Sequence, residues 1–433
     1  MKRMTKFAAL TAAAILPLFA LTACSGGGDD GDAGSGDDNT LTVWAWDPSF
    51  NIYAMQEAEK VYQKDHPDFT LKIVETPWED LQAKLTTIAQ SQQTGELPDI
   101  FLMQNNAFQK NAINYPDLFS DFADSDIDFS QFPKGVTAYS EIDGVNYGVP
   151  FDSGTAVTAL RTDVLEEAGY TIDDFTGITW DEYLTKGKDV LAKTGKPLLS
   201  GQAGSADIPM MMLQSAGASL FDSDGKPTIA GNDVLVDAIE VYAELVKSGV
   251  LVEVNSWDEY IGTFVNGSVG GTINGIWIVG SIQTATDQAG NWGITDLPKL
   301  DGIAGATNYS ANGGSSWAIS STGNTELASD FLSATFAGST DLYDTILPKS
   351  GAVANWIPAG DSDVYAQPSE FFGDQPIFQQ VVEYGAKVPS NNTGVYYYEG
   401  RDAVSAAMTK IIGGADINSA LDEAQSNVEF AMG

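Results

Sequence analysis

The hydrophobic residues at 41–103 alternate between the two-residue period of a strand and the longer period of a helix. Leu81, Leu85 and Ile88, for example, share one face of a predicted helix. The predicted order is a strand at 41–46, a helix at 51–65, a strand at 70–75, a helix at 78–92 and a strand at 98–103. This alternation predicts an α/β fold whose parallel sheet is covered by helices and binds ligands at the carboxyl ends of its strands.

The same alternation continues along the rest of the chain, without an internal repeat. Further extended segments are predicted at 155–160, 271–275 and 315–320, and further helices at 164–168, 179–193, 234–246, 326–336, 402–412 and 418–430. A chain of 433 residues with 43% hydrophobic content has room for two or three lobes with cores of their own.

The first 23 residues have the pattern of a secretory signal peptide. Lys2, Arg3 and Lys6 precede an apolar run at 7–20, which is shorter than the roughly 20 residues of a membrane-spanning helix. Small residues then lead to Cys24, the only cysteine of the chain. This segment resembles a bacterial lipobox, which implies cleavage before Cys24 and diacylation of its thiol. The alternative is an ordinary secretory signal with an incidental cysteine.

Residues 24–39 continue from the lipidated cysteine as a Gly/Asp/Ser segment with no hydrophobic residue to bury, which predicts a flexible tether. No later segment is apolar and long enough to span a membrane. We therefore expect contact with the membrane through the lipid anchor only.

The acidic balance of the chain excludes one large class of partner. It carries 59 Asp and Glu against 21 Lys and Arg, a formal net charge of −38. Nucleic acids are not expected to bind, because phosphate recognition needs a basic patch. Neutral ligands meet no such repulsion.

The chain offers few residues for catalysis or metal binding. His66 is the only histidine and precedes Pro67 at the end of a predicted helix. One histidine and one lipidated cysteine cannot form a His/Cys zinc site, and residues 222–225 fit a turn better than a calcium loop. Neither a Gly-x-Ser-x-Gly elbow nor a phosphate-binding glycine motif is present. We expect no metal and no cofactor, although paired carboxylates for glycoside hydrolysis are not excluded.

Aromatic residues beside polar ones give a positive indication of function. Trp46 precedes Asp47, Trp277 follows a predicted strand, and Tyr397 lies four residues before Arg401. Sugar rings have apolar faces and hydroxyl edges, which suit flat aromatic side chains flanked by Asp, Asn, Gln and Arg. Core packing is the alternative for any single aromatic residue. Together they favour a carbohydrate-binding cleft.

Several short motifs follow one another in order across residues 40–430. They are Leu-Thr-Val-Trp at 41–44, Gly-Glu-Leu-Pro-Asp-Ile at 95–100, Asp-Gly-Val-Asn-Tyr-Gly-Val-Pro at 143–150, Thr-Trp-Asp-Glu at 179–182, Asn-Gly-Ile-Trp at 274–277 and Gly-Gly-Ser-Ser-Trp at 313–317. Behind a lipobox, this series resembles the family 1 solute-binding proteins of carbohydrate ABC transporters, the group that includes maltose-binding protein.

The resemblance implies a periplasmic-binding-protein-like fold, in which two α/β lobes are joined by a hinge and enclose a ligand cleft. Carried over to this sequence, the N-terminal lobe comprises 40–152 plus 314–358, and the C-terminal lobe comprises 153–313 plus 359–433. The chain is expected to cross between the lobes near 151–154, 312–315 and 357–367.

The resemblance also implies positions for the ligand-binding residues. Trp277 matches a stacking tryptophan, and Gly313 and Gly314 match a glycine pair where the backbone approaches the ligand. Residues 104–106 are amides where the family often has an aromatic residue and an aspartate, so hydroxyl contacts without stacking are expected there. The full set of expected ligand-binding residues is Trp46, Asp47, Trp78, Gln104, Asn105, Asn106, Asp152, Trp277, Gly313, Gly314, Tyr397 and Arg401.

The resulting expectation is a lipid-anchored protein without enzymatic activity on the extracellular face of the cell membrane. It would be a monomer that binds a neutral oligosaccharide, closes by a hinge motion and delivers the ligand to the permease subunits of an ABC importer. Two alternatives from other classes are a surface lipoprotein glycosidase and a protein of the same fold that binds a cationic solute or acts as an adhesin.

Overall fold

A computed structural model describes residues 39–389 and 393–433. The signal peptide, the lipidation site at Cys24 and the tether as far as residue 38 lie outside these residues. From Asn39 onward the chain forms one compact unit. Within the described ranges, no helix combines the length and the apolar character needed to cross a membrane.

Strands and helices alternate along the described residues. The strands are β1 Thr40–Ala45, β2 Thr70–Glu75, β3 Ile100–Gln104, β4 Phe119–Ser120, β5 Glu141–Ile142, β6 Val145–Asn146, β7 Val149–Asp152, β8 Ala156–Arg161, β9 Leu199–Gln202, β10 Leu251–Val254, β11 Gly271–Gly275, β12 Trp292–Thr295 and β13 Ser315–Ser320. The helices are α1 Asn51–Tyr62, α2 Trp78–Ser91, α3 Asn105–Asn114, α4 Lys134–Thr137, α5 Thr162–Ala168, α6 Trp180–Thr194, α7 Asp207–Ser215, α8 Asp233–Lys247, α9 Trp257–Val265, α10 Val279–Ile282, α11 Thr325–Ala334, α12 Thr340–Ser350, α13 Ile357–Gly360, α14 Ile377–Gly385, α15 Tyr397–Ile412 and α16 Ile417–Met432.

The first lobe is built on a six-stranded sheet in the order β2-β1-β3-β13-β4, with β7 also paired to β13. Strand β1 is parallel to β2 and β3, which confirms the parallel sheet predicted from the sequence pattern. Strand β13 is antiparallel to β3 and begins beside its last residue, Gln104. The carboxyl ends of three strands and the start of a fourth therefore meet at one edge of this sheet.

The second lobe contains two smaller sheets. Strand β8 lies between β11 and β12 and is antiparallel to both. Strands β9 and β10 form a separate parallel pair. The parallel arrangement of the first lobe therefore does not extend to the three-stranded sheet, because the segments that flank β8 enter the sheet in the opposite direction.

Alternate residues of the strands face two different cores in the first lobe, as the period of a strand requires. Val43 and Leu102 pack in one cluster with Trp317. Their neighbours Trp44 and Phe101 pack in a second cluster on the other face of the sheet. Because both faces are buried, the sheet is a rigid support for the loops at its edge.

Three segments lie side by side where the two lobes meet. Asp152 pairs with Ser315 across β7 and β13, and the register shifts by one residue immediately afterwards. The N–H of Ser153 donates to the carbonyl of Val353 at 2.9 Å, and further contacts link the segments at 312 and 154. These backbone bonds fix the relative positions of the segments at 152–154, 312–315 and 353–355.

Helix α15 differs from its prediction in a way that affects the site. It begins at Tyr397 rather than at 402, so Tyr397 and Arg401 lie one turn apart on the same helix. Gly400 disfavours a helix by propensity, but here it is buried, and a Cβ at this position would lie 3.0 Å from the ring of Phe221. Close packing therefore accounts for a glycine inside the helix.

Gly154 provides a test of the close approach between the connecting segments. A Cβ at Gly154 would lie 2.6 Å from the carbonyl oxygen of Asn312, a backbone atom with no freedom to rotate away. Gly154→Ala is therefore expected to lower the free energy of unfolding by about 1–3 kcal/mol, measured by urea denaturation. Gly95→Ala is the control, because nothing lies within 4 Å of a Cβ there. Equal losses in the two variants would contradict the prediction.

Candidate ligand-binding site

The first wall of the candidate site stands at the carboxyl ends of β1, β2 and β3. Trp46 follows β1 and Trp78 follows β2, and their rings meet edge to face with centroids 5.2 Å apart. The side-chain oxygen of buried Asn51 accepts hydrogen bonds from the N–H groups of Trp46 and Asp47, both at 3.0 Å. The Trp46 loop is therefore held in place from the first turn of α1.

Asp47 lies in the same loop, with its carboxylate turned back to the backbone. It accepts a hydrogen bond from the N–H of Ser49 at 2.8 Å. Burial raises the pKa of Asp47, and the negative charge of Glu75 raises it further, whereas backbone hydrogen bonds lower it. This carboxylate shapes the loop that carries Trp46.

The amides after β3 connect this wall to the connecting segments. Buried Asn105 accepts a hydrogen bond from the hydroxyl of Ser316 at 2.7 Å, and its N–H donates to the carbonyl of Gly314 at 3.0 Å. Gly314 has a φ of 92°, and a Cβ there would lie 3.1 Å from the Asn105 amide nitrogen. Asn106 is half-buried in the same turn of α3.

Asp152 is enclosed where the connecting segments meet, with an exposed fraction of only 2%. Its carboxylate accepts a hydrogen bond from the hydroxyl of Ser315, and its carbonyl accepts one from the side chain of Asn355 at 2.6 Å. Burial raises the pKa of Asp152 to about 7, against the lowering effect of the hydrogen bonds from Ser315. Its carboxyl group thus binds another part of the chain.

The second wall is organised around Trp277, which follows β11. Its indole N–H donates to the carbonyl of Asn312 at 2.9 Å, which fixes the orientation of the ring. Gly313 has a φ of 82°, and a Cβ there would lie 3.1 Å from this indole nitrogen. The ring centroid of Trp277 lies 5.9 Å from that of Trp257 and 6.5 Å from that of Phe50 in the first lobe.

A pocket opens beside Trp257 in the second lobe. Its lining residues are Ser200, Gly201, Gln202, Ser205, Asp207, Ile208, Tyr242, Trp257, Tyr260, Ile273 and Asn274. Asn274 donates to the hydroxyl of Tyr260 at 3.0 Å and accepts from the side chain of Asn312 at 2.8 Å. Because Asn312 also accepts the hydrogen bond from Trp277, one hydrogen-bond network joins the pocket to this tryptophan.

The first turn of α15 contacts both walls of the site. The guanidinium of Arg401 lies 3.5 Å from the carboxylate of Asp207 and 4.6 Å from the ring centroid of Tyr398. Burial alone would lower the pKa of Arg401, but Asp207 and the neighbouring tyrosines raise it overall. The Tyr398 ring packs 5.9 Å from Trp78, and its hydroxyl donates to the side chain of Gln104.

The structure arranges ten of the twelve residues predicted from the sequence in three groups, while Asp47 follows Trp46 in its loop and Asn106 follows Asn105 in α3. The first group lies at and around the first turn of α15 and consists of Trp46, Trp78, Gln104, Tyr397 and Arg401. Trp277 and Gly313 lie against each other beside Asn312, and Trp277 packs next to Trp257, which lines the second-lobe pocket. The members of the third group bond the connecting segments to one another, and they are Asn105, Asp152 and Gly314.

Three prominent residues of this site were not predicted from the sequence. Trp257 is 37% exposed and begins α9, where Ser256 caps the helix by accepting from the N–H of Glu259 at 3.2 Å. The Ser-x-x-Glu capping signature could have placed this tryptophan at a helix start. Asp207 and Tyr398 carry no such local signal.

Comparison with known proteins identifies the family. Residues 57–348 match the sequence pattern of the bacterial extracellular solute-binding proteins. A lactose-binding protein of Rhizobium radiobacter is 36% identical over 415 residues, which cover 96% of this chain and 94% of that protein. The chain therefore belongs to the bacterial extracellular solute-binding protein family, a family defined by binding rather than by catalysis.

Solved structures show the same two-lobed fold. The ABC transporter-associated binding protein of B. animalis subsp. lactis Bl-04, in complex with beta-1,6-galactobiose, matches with a TM-score of 0.76 at 19% identity over 91% of this chain and 96% of that one. The GacH receptor of Streptomyces glaucescens matches with a TM-score of 0.74 at 18% identity over 91% and 97%. These similarities confirm the fold expected from the sequence.

Asp152 predicts a pH dependence of stability. Because its pKa is raised from 3.8 to about 7, the folded protein keeps a proton that the unfolded chain releases. This contribution to stability is complete below the unfolded pKa and is lost as the pH rises through the folded value. The free energy of unfolding therefore falls by about 1.4 kcal/mol per pH unit between roughly pH 5 and pH 7.

The matched variant is Asp152→Asn, which cannot ionise. Urea denaturation of both proteins at several pH values should show the variant losing less stability than the wild type as the pH rises. Other titrating groups affect both proteins alike and cancel in the difference. Parallel stability curves would contradict the assignment of this dependence to Asp152.

Proposed function

We propose that this protein is a lipid-anchored, extracytoplasmic sugar-binding protein that captures a neutral oligosaccharide and delivers it to an ABC importer. The observation that carries the proposal is the presence of aromatic side chains at strand ends and helix starts of both lobes, beside the polar groups of the second-lobe pocket. Trp46 and Trp78 stand on one wall, and Trp257 and Trp277 on the other. Such faces cover the apolar sides of sugar rings, while amides and charged groups bond the hydroxyls.

Membership of the solute-binding family supports a binding role, and the name of the Rhizobium radiobacter relative supports a sugar as the solute. The strongly acidic chain favours a ligand without negative charge. A glycosidase needs two carboxylates that face each other. Among the described residues that line the pocket, Asp207 is the one carboxylate, and it lies 3.5 Å from the guanidinium of Arg401.

The residues of the site take different roles in this proposal. Aromatic stacking is assigned to Trp46, Trp78, Trp257, Trp277 and Tyr397, and hydroxyl contacts to Gln104, Asn106 and Arg401. The remaining residues position the walls through backbone and side-chain bonds, and they are Asp47, Asn105, Asp152, Gly313 and Gly314.

The proposed lobes are 40–152 plus 314–358 and 153–313 plus 359–433, and they close on the ligand by a hinge motion. Only the closed form gains contacts from both walls, so the ligand shifts the equilibrium towards closure. The permease subunits then recognise the closed monomer at the extracellular face of the membrane.

Calorimetric titration with lactose, beta-1,6-galactobiose and maltose tests the binding proposal. One of these sugars should bind at a single site without being hydrolysed. Trp257→Ala should weaken that binding by about 10- to 30-fold, because a stacking face is lost from the centre of the site. The variant should fold normally, since the side chain is 37% exposed.

Phe430→Ala is the matched control, because this aromatic residue is 88% exposed on the last helix. Its affinity should equal that of the wild type. Release of smaller sugars during the titration would favour a glycosidase. Binding of spermidine but of no sugar would replace the proposal with a cationic solute.

Lipidation is tested through Cys24. The wild-type chain, expressed in a bacterium that processes lipoproteins, should incorporate labelled palmitate and sediment with membranes. Cys24→Ser removes the only thiol and should abolish the label and release the protein from the membrane. Sedimentation of the variant with membranes at the wild-type level would contradict anchoring through this residue.

A further inference from the structure

The three consecutive tyrosines that lead into α15 divide between the two lobes. Tyr396 packs against the main core of the second lobe, which also contains Val404 and Met408 from later turns of the helix. Tyr398 packs instead against the first-lobe cluster around Trp44. The helix is therefore anchored in the second lobe, while a side chain of its first turn lies against the first lobe.

Tyr398 makes one apolar and one polar contact with the first lobe. Its ring centroid lies 5.9 Å from that of Trp78, and its hydroxyl donates a hydrogen bond to the side chain of Gln104. Burial raises the pKa of this hydroxyl, so it remains a hydrogen-bond donor at physiological pH. The guanidinium of Arg401, on the same helix, lies 4.6 Å from the ring centroid. Tyr398 is thus held from the second lobe and bonded to the first.

The next residue makes a second contact across the lobes. Glu399 forms an ion pair with Lys110 of α3, in which the lysine side chain is 30% exposed and the glutamate side chain 22%. We call Tyr398 and Glu399 the α15 latch. Its partners in the first lobe are Trp78, Gln104 and Lys110.

The α15 latch lies away from the segments that connect the lobes. Asn105, at the start of α3, bonds to Gly314 and Ser316 of the connecting region. Lys110 follows five residues later on the same helix, about 7–8 Å along the helix axis. A rotation of the lobes about the connecting segments therefore separates the latch from its partners.

The contacts of the α15 latch are of a kind that can break and form again. Fixed interfaces between domains are large and apolar, whereas smaller and more polar interfaces permit relative motion. The latch consists of one aromatic contact, one hydrogen bond and one partly exposed ion pair. Each of these contributes little by itself, but together they favour the form in which the lobes touch.

We infer that the α15 latch holds the lobes together in the absence of a ligand, so that the closed form predominates before a sugar arrives. Side chains of the protein then supply this part of closure in advance. A ligand that binds the closed form gains affinity, because its apparent affinity scales with the fraction of closed protein. The latch itself does not depend on the identity of the ligand, whereas its effect on affinity rests on the sugar-binding function proposed above.

Small-angle X-ray scattering of the ligand-free protein tests the α15 latch directly. The parent chain is 24–433 with Cys24→Ser, so that no lipid is attached. Tyr398→Ala removes the ring and the hydroxyl and should increase the radius of gyration. Tyr398→Phe removes only the hydrogen bond to Gln104 and should give a smaller increase. Phe430→Ala is the control for loss of an aromatic side chain, because Phe430 is 88% exposed, and should match the parent chain.

Charge exchange tests the ion pair without altering Tyr398. Lys110→Glu places two carboxylates opposite each other and should also increase the radius of gyration of the ligand-free protein. The double variant Lys110→Glu/Glu399→Lys restores a pair of opposite charges and should return the radius to the parent value. Circular dichroism melts verify that each variant is folded.

The effect on binding is measured by calorimetric titration with lactose, beta-1,6-galactobiose or maltose, whichever binds the parent chain. A fall in the closed fraction from about 90% to about 10% weakens apparent affinity about 9-fold. Tyr398→Ala and Lys110→Glu should therefore each bind about 3- to 10-fold more weakly. The double variant and Phe430→Ala should keep the parent affinity.

Equal radii of gyration for the ligand-free parent chain and Tyr398→Ala, both folded, would overturn the inference and leave the proposed function intact. A larger radius for Tyr398→Ala, with no sugar bound by any of the proteins, would support the α15 latch and remove the proposed function. The two conclusions can therefore fail separately.

Discussion

The buried carboxyl group of Asp152 is the constraint on which the arrangement of both walls depends. Its partner Ser315 begins β13, and the register shift at this point turns the chain so that Gly314 contacts Asn105 in the first lobe. Asn312, on the other side of the turn, holds Trp277 in the second lobe. A buried carboxyl requires hydrogen bonds, so these bonds maintain a single geometry of the connecting segments.

The two lobes provide rigid supports, and the residues of the candidate site lie in short loops and at helix starts beside the strand ends. Both faces of the first sheet are buried, so the loops after β1, β2 and β3 start from fixed positions. The aromatic rings at these positions keep part of their surface free, because the backbone below them cannot collapse onto the site. Direct contacts link the two lobes, and a partly exposed ion pair such as Lys110–Glu399 contributes only about 0–1 kcal/mol.

Much of the architecture was predictable because it depends on local patterns. The strands at 70–75, 271–275 and 315–320 have the predicted bounds. Gly313 and Gly314 were predicted to lie where the backbone approaches the ligand, and this stays a prediction, while the positive φ values of both residues favour glycine. The start of α15 was not predictable, because Gly400 disfavours a helix. Its close packing against Phe221 is a tertiary contact that the sequence does not reveal. Asp207 and Tyr398 were missed because their partners, Arg401 and Trp78, are remote in sequence.

The sequence by itself determined the α/β class, the parallel order of the first strands and the family, because hydrophobic period and short motifs are properties of neighbouring residues. Only the tertiary structure decided which side chains face one another across the site. Residues 104 and 398, or 110 and 399, are separated by almost 300 positions and meet only after two sheets and a hinge are in place. No local pattern encodes such a pairing, since it arises from the packing of the lobes as a whole.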